Sequence, residues 1–447
     1  MPSQNPSCIQ WMVLINFKIN MPFVIDQVPE LLAVRKVFIM AHRVPEQQNA
    51  NIPHGEQDVD AFVRGKPNFS VFYPHIGDDY GTHHSKAFII AYDLHLRVCI
   101  HTANYVGVDW QVLTNAAWMQ DFPLKTAGSA ETSPFEEELF KYIKTTQWPG
   151  GDVPNLGRVS KETLRLYDFS QARVALVASR PGKFNFGQGV DNNSKHWGHL
   201  SVADVLSKVE FDPMHYGSPQ AWQFSSLSSI YPTNATDPNI KRKWMHELDS
   251  SFSAGRVRGQ PGMLLGPSKD SKLIWPTREE METSIYPNAG GSIPSSKVNA
   301  VDKMEIFRER RCRWAASDGT QHPEDRRHVL PHMKSFLRHS GQNICWLYLG
   351  SSNLSMAAWG TIQGAGANRC LYVKSYELGV LFLPSLLPKA DDELPLRMIT
   401  TVAPEAAAGG NMAGVTPCGR YLALPLPYPL PPVPYTASET PWYTRQQ

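Results

Sequence analysis

Two short stretches of this chain carry the same reactive side chains in the same order. The first reads His84-Ser85-Lys86-Ala87-Phe88 and runs on to Thr102-Ala103-Asn104 and Trp110. The second reads His332-Met333-Lys334-Ser335-Phe336 and runs on to Ser351-Ser352-Asn353 and Trp359. The two histidines are 248 residues apart, Asn and Trp are six apart in both copies, and Lys-to-Asn is 18 residues in one and 19 in the other. A lone His-x-Lys is ordinarily a solvated surface pair. Repetition of His, Lys and Asn together points to chemistry, because a repeat kept for packing would preserve only apolar positions. One site built by two related halves is the expectation.

A lysine brings fixed positive charge and an asparagine brings amide hydrogens, and both suit the oxygens of a phosphate. Histidine can attack phosphorus or exchange a proton near neutral pH. Two sets around one phosphoryl group suit in-line displacement, with one histidine as nucleophile and the other protonating the leaving group. The Lys/Asn cage would stabilise the charge that develops on the nonbridging oxygens, by several kcal/mol as an order of magnitude. The two lysines stand where a divalent cation would otherwise sit, so the pattern calls for no metal and no other cofactor. The acidic clusters Glu136-Glu137-Glu138 and Asp391-Asp392-Glu393 read as helix or loop surface. Phe88, Phe336, Trp110 and Trp359 read as core.

A chain of 447 residues exceeds one ordinary core, which implies two domains. The expected division falls near residue 200, with one motif in residues 1–200 and the other in 201–447. A net charge of +2 argues against a uniformly basic nucleic-acid binder, so any basic surface must be local. Six scattered cysteines without a CxxC pair imply reduced thiols, an intracellular setting and no zinc site. The apolar stretch Trp11 to Ile19 is too short for a membrane span and reads as a buried strand.

Certain elements must hold the motifs. Residues 11–41 read as strand, helix, strand. The apolar runs Ala87–Tyr92 and Leu96–Thr102, split by Asp93-Leu94-His95, read as a hairpin. That hairpin puts Lys86 at the start of one strand and Asn104 just past the next, at the same end of a sheet. Ser133-Pro134-Phe135-Glu136 is a helix start with a capping serine. Arg173–Ala178, Ile344–Leu349 and Glu377–Leu383 read as strands, and His196–Val209 as a helix. Residues 304–316 read as a basic helix with Arg308, Arg310, Arg311 and Arg313 on a solvated face, as do Lys241-Arg242-Lys243. Residues 404–415 read as a loose insertion. The Pro-rich tail 422–434 is either a linker or docked on the surface, and Tyr435 and Trp442 favour docking.

The residues resemble the tyrosyl-DNA phosphodiesterase 1 family of the phospholipase D superfamily. Gly81-Thr82-His83-His84-Ser85-Lys86 with His101-Thr102-Ala103-Asn104 and Asp109-Trp110 looks like its first motif. Pro331-His332-Met333-Lys334, Ser352-Asn353-Leu354-Ser355, Ala358-Trp359-Gly360 and Ser375 to Phe382 look like its second. Gln223 to Ser229, Gly290 to Pro294 and Trp197-Gly198-His199 add to the match, which runs from about residue 30 to Trp442. Lipid-cleaving relatives place an Asp five residues after the Lys. Here Ala91 and His339 stand at those positions, which is the pattern of the DNA-repair branch.

The resemblance implies an α/β fold of two pseudo-twofold-related α-β-α sandwiches with the site at their interface. It implies a metal-independent hydrolase of the 3′-phosphotyrosyl bond between DNA and a topoisomerase I peptide. His84 would be the nucleophile, and His332 the general acid and then the base. Lys86, Lys334, Asn104 and Asn353 would hold the phosphate. Glu377 would orient a histidine, and Asn115 stands where the family often has Gln. Tyr80, Ser226, Ser229, Ser292 and Ser355 match DNA contacts. Single- and double-stranded 3′ ends, a nuclear address, a monomer and no membrane complete the expectation. The N-terminal half starts late against the family pattern, which implies truncation at a sheet edge. The rivals are another phosphodiesterase or nuclease of the superfamily and a DNA-end binding protein without activity.

Overall fold

A computed structural model describes residues 8–43, 59–126, 131–186, 194–227, 238–268, 271–287, 293, 305–315, 328–387, 396–400, 413–416 and 419–443. Long apolar, β-branched runs that bury both faces need cover on both sides, and they form the centres of two sheets. The first sheet contains β1 (Ile9–Asn16), β2 (Val37–Ala41), β3 (Phe69–Phe72), β4 (Ala87–Tyr92), β5 (His95–His101) and β6 (Ala117–Pro123), in the order β3-β2-β1-β4-β5-β6. β1, β2 and β3 are mutually parallel, and β4, β5 and β6 alternate in direction. The β4–β5 hairpin matches the sequence reading. β1 lies in the middle of this sheet, and its edges are β3 and β6.

The second sheet repeats this arrangement. Among its ten described strands are β7 (Ala175–Ser179), β8 (Gln220–Gln223), β9 (Ser271–Ile274), β10 (Arg311–Cys312), β11 (Ser335–Ser340), β12 (Asn343–Gly350) and β13 (Glu377–Phe382). β10, β9 and β8 are parallel, and β11, β12 and β13 then alternate. The order β10-β9-β8-β11-β12-β13 therefore mirrors β3-β2-β1-β4-β5-β6 strand for strand. β7, from ahead of residue 200, pairs antiparallel with β13. The α/β expectation of two related halves holds in this repeated sheet order.

The helix Pro134–Thr146 starts as its sequence dictates: Ser133 accepts from Glu136 N at 3.1 Å, and Pro134 occupies the first turn. Phe135, Leu139, Tyr142 and Ile143 are buried in a core to which both sheets contribute. The helix Gly198–Leu206 lies against the helix Pro238–Phe252. In the second half Phe252, Phe336, Trp346 and Trp359 pack ring against ring at 5.1–5.8 Å.

Several expectations change. Residues 304–316 do not form one basic helix: a single turn Glu305–Arg308 leads into β10, whose Cys312 lies at the sheet edge fully buried. Pairing with β9 satisfies backbone groups there, and this tertiary demand overrides the helical propensity of the arginines. Trp110 is 52% exposed and Phe88 is half-buried, whereas Phe336 and Trp359 are core. Trp110 donates from Nε1 to Asn104 O at 2.8 Å, so its ring stays at the surface as a brace. Glu136 is buried, not exposed, and pairs with Lys125 at 2.9 Å and Arg165 at 3.4 Å. Residues 391–393 and the side chains of 241–243 lie outside the described residues. Ala413–Thr416, overlapping the end of the expected loose insertion 404–415, is a strand paired with Gly419–Ala423. The tail is docked: Leu424, Leu426, Tyr428 and Leu430 are buried, and Tyr435 Oη donates to Trp275 O at 2.8 Å. Among the described residues no helix is long and apolar enough to cross a membrane.

Candidate active site

The repeated sheets explain why the motifs meet. His84 and Lys86 lead into β4, and His332 and Lys334 lead into β11, its counterpart. Asn104 follows β5 and Asn353 follows β12. Each approach to a motif is tied by backbone bonds to the opposite half. His84 N donates to Tyr376 O at 2.9 Å, and Tyr376 N donates to Thr82 O at 2.8 Å. In the mirror arrangement His332 N and Met333 N both donate to Thr114 O at 2.9 Å, and Thr114 N donates to Leu330 O at 2.8 Å.

The residue after each of these ties reaches a histidine of the other half. Glu377, after Tyr376, has Oε2 3.0 Å from His84 Nδ1. Asn115, after Thr114, has Oδ1 3.2 Å from His332 Nδ1, so its shorter side chain still makes the contact. A hydroxyl two residues ahead of each asparagine steadies the partner. Ser351 Oγ donates to Glu377 Oε2 at 2.5 Å, and Thr102 Oγ1 donates to Asn115 Oδ1 at 2.8 Å. The pairs Thr102/Ser351 and Asn115/Glu377 thus extend the repeat. The shared hydroxyl before each asparagine was visible in the sequence, but its role was not.

Both lysines are fully buried and fold back on their own motifs. Lys86 Nζ donates to His84 O at 2.8 Å, and Lys334 Nζ donates to His332 O. Lys334 Nζ is also 3.4 Å from His332 Nε2. Burial of four basic groups in one place has an electrostatic consequence. Burial lowers the Lys86 pKa to about 8, against the opposing pull of Glu377 and Asp109. Lys334 is pushed well below the usual lysine range by burial and by Lys86. His332 is held well below the usual histidine range by burial, Lys334 and Lys86, and His84 is lowered by burial despite Glu377.

The asparagines differ. Asn353 Oδ1 accepts from Ser225 N at 3.1 Å and Ser226 N at 3.0 Å, which fixes the amide. Asn104 Nδ2 donates to Asp109 Oδ2 at 3.0 Å, and its Oδ1 is buried without a hydrogen-bond partner. Of the other expected contacts, Tyr80 is 83% exposed with Lys374 Nζ 5.1 Å from its ring centroid. Ser355 Oγ caps the helix Met356–Trp359 by accepting from Ala358 N. Ser226 reaches the site through its backbone, and Ser229 and Ser292 lie outside the described residues. The sequence reading gave no role to Asp109, Ser351, Thr102 or Phe17. The Phe17 ring stacks edge-on to His84 at 5.1 Å, with Lys86 Nζ 5.6 Å from its centroid.

An α/β fold of two halves with one sheet order, bringing the two His-Lys-Asn sets together, defines the class. The tyrosyl-DNA phosphodiesterase family profile matches residues 3–436, and this chain belongs to that family, placing it among the DNA-repair phosphodiesterases. It is 32% identical to tyrosyl-DNA phosphodiesterase 1 of Arabidopsis thaliana over 452 residues, covering 96% of this chain and 68% of that protein. It is 28% identical to tyrosyl-DNA phosphodiesterase 1 of Drosophila melanogaster over 377 residues, covering 81% of this chain and 57% of that protein. The fold is that of the crystallised yeast tyrosyl-DNA phosphodiesterase, with TM-score 0.64, 16% identity and coverage of 98% of this chain and 94% of that one.

Proposed function

We propose that this chain is a metal-independent phosphodiesterase that hydrolyses the 3′-phosphotyrosyl bond between DNA and a topoisomerase I-derived peptide, and other 3′ blocking groups. The observation that carries this reading is the crossed support of the two histidines. Each is held at Nδ1 by the opposite half, which commits Nε2 to the reaction side, where His332 Nε2 lies 3.4 Å from Lys334 Nζ. His84 Nε2 attacks phosphorus and the bond to the tyrosine oxygen breaks. His332 gives its proton to that oxygen. Water then attacks phosphorus with His332 taking its proton, the P–N bond breaks, and a 3′-phosphate leaves His84 free again.

Lys86 and Lys334 hold the nonbridging oxygens, with Asn353 and the second amide hydrogen of Asn104 completing the cage. Tyr80 offers an exposed ring to a base. By likeness to the family motifs, Ser226, Ser229, Ser292 and Ser355 would contact the DNA backbone. A cavity of about 450 Å³ lined by Asp78, Arg180 and Lys183 from one half and Tyr372 and Tyr376 from the other suits a peptide or strand end beside the site. The reading includes two phospholipase D-like domains divided near residue 200, a monomer, a nuclear setting, and both single- and double-stranded 3′ ends.

The test is release of tyrosine from a 3′-phosphotyrosyl oligonucleotide in EDTA. His332→Ala should accumulate a covalent protein–DNA adduct and His84→Ala should form none. Release that needs magnesium, or an adduct on the His84 variant, would sink the mechanism.

A further inference from the structure

The two histidines have unequal supports. His84 meets the carboxylate Glu377, while its symmetry-related position offers His332 only the neutral Asn115. An acid six residues before Asn115 fills the gap. Asp109, on the short helix Gly107–Gln111, places Oδ2 3.0 Å from His332 Nδ1, and the two side chains are 2% and 8% exposed. Asp109 is held there on all sides. Asn104 N donates to the same oxygen at 2.6 Å and Asn104 Nδ2 donates at 3.0 Å. Asp109 O accepts from Asn115 Nδ2 at 2.7 Å. The counterpart of Asp109 in the second copy, five residues after Asn353, is Ala358, so no repeat marks it.

We propose that Asp109 is the positioning residue that sustains the imidazolium of His332 during proton donation, with Asn115 fixing only the ring's orientation. The proposal rests on the general-acid role of His332. An opposite charge beside Nδ1 favours the protonated ring, which must otherwise form against the buried cations. The groups facing His332 are Lys334 on its own motif, Lys86 and His84 from the first half, and Lys18 after β1, all of which oppose its protonation. Asp109 is the acid within ion-pair distance of its ring.

The experiment compares the wild-type chain, Asp109→Asn, Asp109→Glu and His332→Ala on two oligonucleotides, one with a 3′-phosphotyrosyl group and one with a 3′-phospho-4-nitrophenyl group. Nitrophenolate leaves without a proton, so the second substrate does not need the acid. Asp109→Asn should lower tyrosine release about 10- to 100-fold, part of the range general acids supply, and leave nitrophenol release within about threefold. The alkaline limb of its kcat profile should move down by about one pH unit or more. Asp109→Glu should recover part of the tyrosyl activity. Equal losses on both substrates, a loss confined to KM, or an unmoved alkaline limb would overturn the proposal, since a structural role or a role toward the lysines alone predicts those results. Retained nitrophenol release shows that the variant is folded. Because the His332→Ala adduct accumulates, that variant is read in the first turnover; if its rate of leaving-group release there does not differ between the substrates, the general-acid reading fails instead.

Discussion

At the scale of residues, the candidate site is a cluster of basic groups whose charged forms burial disfavours. Burial holds Lys86 at about 8 in the empty protein, well below an ordinary lysine near 10.4. Above pH 8 the folded chain therefore carries fewer protons at this group than the unfolded chain. By linkage this contribution makes the empty protein more stable as pH rises from about 8 toward 10.4. A bound phosphate reverses the preference, because it favours the charged lysine. Affinity for an oligonucleotide ending in 3′-phosphate should accordingly fall as pH rises through 8 to 9.5. Binding at pH 9 should take up protons, read as a calorimetric heat that varies with the ionisation enthalpy of the buffer. A flat affinity across that range would show that Lys86 keeps its charge unaided. The lowered pKa values of both histidines fit the proposed mechanism, in which His84 would use a free lone pair to attack and His332 would need help to hold a proton.

At the scale of elements, the strands β12 and β13 bring Ser351 and Glu377 to His84. Gly350 and Gly379 are paired across these strands. A Cβ on Gly379 would lie 2.4 Å from the ring of Tyr348, and one on Gly350 would lie 2.5 Å from Gly379 Cα. Tyr348 is buried and donates from Oη to Ser352 Oγ at 2.9 Å, so the ring has little room to yield. Gly379→Ala should cost about 1–3 kcal/mol through overpacking, measured by urea denaturation. It should also lower turnover, because any separation of the strands moves Glu377 two residues away. An unchanged midpoint would show that Tyr348 has another place to go.

At the scale of the whole molecule, the C-terminal tail completes the ground beneath the second motif. Tyr428 Oη and Ser335 Oγ share a hydrogen bond of 2.6 Å, and Ser335 follows Lys334 directly. Trp275 Nε1 donates to Trp442 O at 2.9 Å, tying the tail to the strand β9 region as well. Tyr428→Phe strands the buried hydroxyl of Ser335 and should cost about 1–3 kcal/mol. Ser335→Ala together with Tyr428→Phe removes both partners and should cost less than the sum of the two single changes, a coupling read from a double-mutant cycle. Additive losses would mean that the two hydroxyls do not depend on each other.

Much of the candidate site was legible in the chain because the His-Lys-Asn sets repeat and periodicity fixes which end of each strand they occupy. His84, Lys86, Asn104 and their partners His332, Lys334 and Asn353 could be picked out from spacing alone. The β4–β5 hairpin followed from two apolar runs split by a polar turn. The sequence could not show contacts between residues hundreds of positions apart. Glu377 was recognisable only by its likeness to a family motif, and Asp109 had no counterpart in the second copy to mark it. Trp110 and the arginines before β10 were misplaced for the same reason: amphipathic pattern says which residues are apolar or charged, not which neighbours cover them. The sequence by itself determined a doubled His-Lys-Asn chemistry and the strands that carry it. Only the tertiary structure decided that each half grips the other half's histidine, because side-chain charge and reach act through space and not along the chain.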